Sequence, residues 1–245
     1  MSELLAEVAA WFAAEGRWSL TDSGGVPFRT AQHLYVSVTA TLLAVLIAIP
    51  PALVLAHRRT AEAFASAVVN IGRAIPSFGL IVIFWLIAAR TGWIGTDFWP
   101  LVGALVALAL PPIFTNTYTA VREVDAPTVE AARGMGYDET RILTEIELPL
   151  ATPVMLAGVR LAFVQVIATT AIGAIVTNGG GLGRYIVDGF AQGVGGRATV
   201  IGGALLLGAL TLLAEAGFGG LQRLLTPTGV RRDTPVQDVT VGAAG

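Results

Sequence analysis

The sequence predicts an all-α membrane protein, and three observations carry that expectation. Only 13% of the 245 residues are charged and 54% are hydrophobic, against about 25% charged in soluble domains. The run "LYVSVTATLLAVLIAIPPALVLA" from Leu34 to Ala56 carries no charge and exceeds the roughly 20 residues a helix needs to cross a bilayer. Four further apolar stretches follow it. Backbone groups find no water in hydrocarbon, so each stretch is expected to be helical.

The first element is "MSELLAEVAAWFAAEGRW". Its first charges are acidic, so it lacks the basic start of a secretory signal. Leu4, Val8, Trp11 and Phe12, with Leu5, share one helical face. That pattern predicts an amphipathic helix, lying at a membrane interface or packed on the bundle.

Five spans are expected next: Leu34 to Ala56, then Ala63 to Ala89 with Arg73 and Pro76, then Leu101 to Ala120. Val154 to Val176 follows with Arg160, and Ala198 to Leu213 continues past Glu215 to about Leu221. Pro50, Pro51 and Pro76 mark expected kinks. With "HRR" at 57–59 placed in the cytoplasm, Arg58, Arg59, Arg122, Arg133, Arg141, Arg223, Arg231 and Arg232 fall inside and Arg17, Arg29, Arg90, Arg184 and Arg197 outside. The excess predicts an outside N-terminus and a cytoplasmic C-terminus. The organisation is therefore an interfacial or extracytoplasmic segment (1–32), a transmembrane domain (33–222) with a cytoplasmic loop at 122–153, and a mobile cytoplasmic tail (223–245).

Composition also excludes. A net charge of −2 argues against nucleic acid as a partner, and the absence of cysteine removes thiolate chemistry and disulfides. All fifteen basic residues are arginine, so the chain cannot supply the lysine of a nucleotide-binding P-loop. His33 and His57 stand at opposite ends of the first span, which predicts no metal site. No nucleophile–base arrangement stands out, and no catalytic residue is expected.

The loop holds "EAARGMGYDETRILTEIELP", Glu130 to Pro149, within a segment of three arginines and seven acids from Arg122 to Glu147. It predicts two short helices around a turn. Pro127 suits a first helical turn, Gly134 and Gly136 break the helix, and Asp138 caps the next one. Pro149 is expected to end that second helix and turn the chain toward the fourth span.

Glu130, Ala131, Ala132, Gly136, Ile146, Leu148 and Pro149 fall at the spacing of the EAA loop, and the chain here resembles permease subunits of binding-protein-dependent importers of the ATP-binding-cassette class. The resemblance implies a five-span type I importer permease core with a cytoplasmic coupling helix-turn-helix, docked on a separate ATPase dimer. It further implies a second permease subunit, identical or homologous, an extracytoplasmic substrate-binding protein, and residence in a bacterial inner membrane. Mg-ATP would bind the ATPase, leaving this chain without a cofactor. "NIGRAIPSFGL" and the stretch through "NGGGLGRYIVDGF" are similar to the subgroup importing glycine betaine, carnitine and choline. Methionine and phosphonate importers share much of the scaffold.

Candidate pathway or gating residues are Arg73, Ser77, Gln165, Thr169, Asn178, Gly181 and Gly183. Buried Ser, Thr and Asn more often join helices to one another, and Asn70, Asn116 and Thr170 are open to either role. The glycine run predicts a tight re-entrant turn on the outer face. Arg160 is expected to reach the cytoplasmic headgroups. A secondary transporter is the rival class. It should carry coupling acids or histidines deep in its spans, where only Glu215 comes near.

Overall fold

The computed structural model describes residues 2–60, 62–74, 76–92 and 97–225, without the side chains of 69, 71, 73, 223 and 225. Among the described residues all regular structure is helical: α1 (Ser2–Ala13), α2 (Val26–His57), α3 (Glu62–Ala74), α4 (Ser77–Thr91), α5 (Phe98–Arg122), α6 (Ala126–Gly134) and α7 (Glu139–Arg141) come first. A π-helical segment (Ile142–Glu147) runs into α8 (Leu148–Gly173), followed by α9 (Gly183–Ala191), a 3-10 turn (Gly193–Gly196) and α10 (Arg197–Leu225). Among the described residues four helical stretches are long and apolar enough to cross a membrane: Val26–His57, Phe98–Arg122, Glu139–Gly173 and Gly193–Gln222.

α5 is the centre of the bundle. Leu101, Leu105, Ile113 and Val121 on it are buried among residues of α2 and α8. α2 meets this core with a ladder of small side chains, Ala40, Ala44, Ala48, Ala52 and Ala56, all nearly inaccessible. A spacing of four keeps them on one face, and their size lets the neighbouring backbone come close. Hydroxyls add the polar contacts between helices: Ser37 Oγ lies 3.0 Å from Thr170 Oγ1, joining α2 to α8. Thr170 is thus inter-helix glue. Asn116 turns instead to its own helix, donating to the Pro112 carbonyl at 2.8 Å.

The prolines divide into two kinds. α2 passes through Pro50 and Pro51 unbroken, and its helix starts at Val26, eight residues before the uncharged run. The expected boundary at 32/33 therefore falls inside a helix, which begins with Pro27 in its first turn where a missing N–H costs nothing. The second expected span, by contrast, is not one kinked helix. Pro76 takes the extended conformation (φ −68°, ψ 113°) as the N-cap of α4, so α3 and α4 are separate helices. Proline cannot donate to the preceding turn, and neither helix is long enough to cross alone. Both pack along α5. Arg122 pairs with Glu62 and Phe114 meets Phe64 edge-on at one end of α5, while a Cβ on Gly103 would strike Phe84 of α4 near the other.

α1 packs on the bundle. The Trp11 ring covers Gly202 of α10 so closely that a Cβ there would lie 2.4 Å from it. Arg17 stacks its guanidinium 4.1 Å from the centre of the Trp11 ring, and Arg197 donates to Glu7 at 2.6 and 2.8 Å. These hydrogen bonds hold the Glu7 carboxyl below its ordinary range. Of the apolar face read from the sequence, Leu5 is exposed.

Candidate functional site: the loop between α5 and α8

The loop is a small folded unit. Asp138 caps α7 by accepting from the Arg141 amide at 2.9 Å, as its position predicts. α6 ends in a Schellman turn. Tyr137 N–H donates to the Ala132 carbonyl at 3.1 Å and Gly136 N–H to that of Arg133 at 3.0 Å, with Gly136 at φ +88°. Gly136, not Gly134, is the residue that the left-handed position requires. Val124, Val129, Ala132 and Ile142 form a core of their own beneath this turn, with Tyr137 and Ile146 against it. Arg133 closes the hairpin from outside, donating to both Glu139 oxygens at 2.9 and 3.0 Å.

Burial sorts the motif. Glu130, Ala131 and Gly136 are exposed, and Met135 beside them projects with 70% of its surface accessible. Ile146, Leu148 and Pro149 are half-buried. Ala132 is 1% exposed, so within the motif it packs inside the loop. Pro149 departs from expectation, because the helix does not end there. The backbone widens to the π form just before it, with Leu148 N–H donating to the Leu143 carbonyl five residues back. The wider turn makes room for a ring that an α-helical turn would exclude, and helix α8 continues.

The loop is tied to α2 through His57, whose partners lie beyond the range of local pattern. His57 Nδ1 lies 2.6 Å from Glu147 Oε2 and its Nε2 lies 3.2 Å from Glu139 Oε2. Glu147 is 4% exposed. The one local signal is an acid on the buried side of "ILTEIELP", a position where an unpaired carboxylate is costly.

The pathway candidates do not form a single cluster. Gln165 is exposed on α8, among the apolar Leu161, Ile172 and Ile175 of the same exposed face. Thr169 is buried, and Ser77 is half-buried at the start of α4. The side chain of Arg73 lies outside the described residues, as do Arg231, Arg232 and the remainder of the tail from 226. Asn178, Gly181 and Gly183 do come together, in a tight turn joining α8 to α9. Asn178 N–H donates to Asp97 Oδ1 at 3.2 Å. Gly181 lies at φ +52° against His33, and a Cβ on Gly183 would strike the Ala171 carbonyl at 2.2 Å. His33, fully buried, sits with Nε2 3.0 Å from the Ile167 carbonyl of α8. The turn is packed into the bundle as the glycines predict. Arg160 pairs with Glu215 of α10.

A bundle of spanning helices bearing a folded hairpin between two of them has the build of a transport permease, in the type I importer fold. The chain belongs to the family of binding-protein-dependent transport system inner membrane components, whose model matches residues 40–228. It is 32% identical to the carnitine transport permease protein OpuCB of Listeria monocytogenes over 203 residues, 83% of this chain and 89% of that protein. It is 30% identical to the choline transport system permease protein OpuBB of Bacillus subtilis over 212 residues, 86% of this chain and 94% of that protein. The osmoprotectant import permease protein OsmW of Salmonella typhimurium matches at 32% over 218 residues, 87% and 98% of the two chains. Among solved structures, the MetNI methionine ABC transporter in an inward-facing conformation matches with a TM-score of 0.68 and 25% identity, covering 82% of this chain and 96% of that one.

Proposed function

We propose that this chain, with a second permease subunit, forms the membrane pathway of an ATP-driven importer for a small quaternary-amine osmoprotectant such as glycine betaine, carnitine or choline. A binding protein delivers the cargo from outside, and a separate ATPase dimer binds Mg-ATP and grips the 122–153 loop. The N-terminus is outside and the C-terminus cytoplasmic. The observation that carries the coupling role is the exposed tip formed by Glu130, Ala131, Met135 and Gly136 on a hairpin with its own core. Such a unit keeps its shape when pushed, so displacement passes to α5 and α8 as rigid-body motion. The osmoprotectant assignment is supported by the relatives named for carnitine, choline and osmoprotectant transport. Pairing with Glu215 also balances the charge of Arg160, which would otherwise repel a cationic amine.

The test is reconstitution in proteoliposomes with the cognate ATPase and binding protein. Labelled glycine betaine, carnitine or choline should accumulate only with ATP inside. Accumulation of methionine alone, or uptake driven by a proton or sodium gradient without the ATPase, overturns the proposal. The double variant Glu130→Arg, Gly136→Asp should no longer retain the ATPase in a pull-down; retention at wild-type strength overturns the loop as its docking site.

A further inference from the structure

The loop is continuous in sequence with α5 and α8, but α2 ends more than sixty residues before it. We infer that His57 is the positioning residue that carries movement of the loop into α2. The inference rests on the coupling role proposed above for that loop. His57 is the last residue of α2 and only 12% of its side chain is accessible. Its two ring nitrogens face two carboxylates at opposite ends of one helical stretch, Glu139 at the start of α7 and Glu147 at the end of the π segment. A rigid ring held at both sides cannot yield as a flexible side chain does.

Two further observations make this tie mechanical. Among the described residues, the side chain of buried Glu147 bonds His57 alone, so breaking the contact leaves a desolvated carboxylate without a donor. Ala52 and Ala56 pack into the core on the inner side of this junction, but apolar packing does not close its outer side. A cleft of about 580 Å³ opens there, lined by Val54, His57, Arg58, Arg133, Thr140 and Leu143. Where the surfaces stand apart, the polar bridge carries the connection. Arg133 extends it, because Glu139 accepts from Arg133 as well as facing His57. The chain of contacts therefore runs from α6 at the docking tip, through Arg133, Glu139 and His57, into the first span. Arg58 and Arg59 also line this cleft.

The experiment uses the full complex with ATPase and binding protein in proteoliposomes, measuring ATP hydrolysis and uptake on the same sample. His57→Ala should retain the ATPase and its basal hydrolysis, while uptake per ATP falls by about tenfold, the equivalent of a net hydrogen-bond contribution of about 1.4 kcal/mol. His57→Gln, which reaches one carboxylate at a time, should fall between. The exposed variant Glu139→Gln leaves the buried partner in place and should lower uptake per ATP without lowering assembly. A second readout places spin labels at residues 59 and 140. Their separation should stay fixed through the ATP cycle in the wild type and change with nucleotide in His57→Ala. Wild-type uptake per ATP in both His57→Ala and Glu139→Gln overturns the inference, as does a separation in His57→Ala that never changes. Loss of ATPase retention in the Glu130→Arg, Gly136→Asp variant is scored separately, so failure of the docking site and failure of the tie are told apart.

Discussion

Arg160 of α8 and Glu215 of α10 form an ion pair across 55 residues of sequence, within the spanning length of both helices. An arginine alone at a helix centre costs about 2.5–3.5 kcal/mol on insertion scales, so its partner has a clear physical purpose. Both side chains are partly accessible, at 32% and 41%, which tempers the energy of the pair itself. Glu215→Leu should therefore destabilise the purified protein more than the double variant Arg160→Leu, Glu215→Leu. The departure of the double variant from the sum of the two single variants is the coupling of the pair. Thermal denaturation of all four members of the cycle, in one lipid, measures it; additive effects would refute the coupling.

Gly136 isolates a backbone effect. Nothing lies within 4 Å of where its Cβ would be, so a larger residue meets no clash and only the left-handed φ of +88° opposes it. Gly136→Val should cost more than the 1–2 kcal/mol typical of an L-residue in that region, and Gly136→Asn less. The measurement is hydrogen exchange of the loop amides. Equal protection in both variants would contradict the turn geometry.

Gly181 tests the opposite case. Its φ is +52° and a Cβ would lie 2.5 Å from that of His33. Gly181→Ala should therefore separate the α8–α9 turn from α2, with a destabilisation of about 1–3 kcal/mol from overpacking. Thermal unfolding reports it, and Gly193→Ala, at a positive φ with open space, is the control that should cost less.

The junction of α1 with α10 should depend on pH. Hydrogen bonds from Arg197 are the main cause lowering the Glu7 carboxyl in the folded state, so the contribution is complete above the ordinary carboxylate value of 4.5. It is lost as pH falls through the lower folded value. Exchange of α1 amides should rise in that acidic window, and Glu7→Gln should show raised exchange at pH 7 with no further acid response from this pair. Unchanged α1 exchange in Glu7→Gln at pH 7 would count against the junction.

Local pattern was enough for what local forces decide. Apolar length marked α2, α5, α8 and α10, and the spacing from Glu130 to Pro149 marked the loop with its Asp138 cap and its Gly136 turn. Pro76 and Pro50 show where pattern runs out. Both are prolines in apolar stretches, yet one bounds a helix and the other lies within one. Neighbouring helices decide whether a freed carbonyl is satisfied. His57 and Glu147 lie 90 residues apart, and no periodicity reports such a contact. Ala132 was legible as part of the motif, but the side it faces was set by Ile142 and Val129 beneath it.

The wide turn from Ile142 to Glu147 fixes the azimuth of everything after it. A single extra residue in a helix rotates the downstream faces by about 100°, so this turn determines that Ala151, Met155, Ala162 and Val166 look inward while Leu161 and Gln165 look outward. Were the stretch to snap into ordinary winding, α8 would have to spin on its axis or expose its core side to lipid. The same six residues that join docking tip to span thus also serve as the spindle on which that span is indexed.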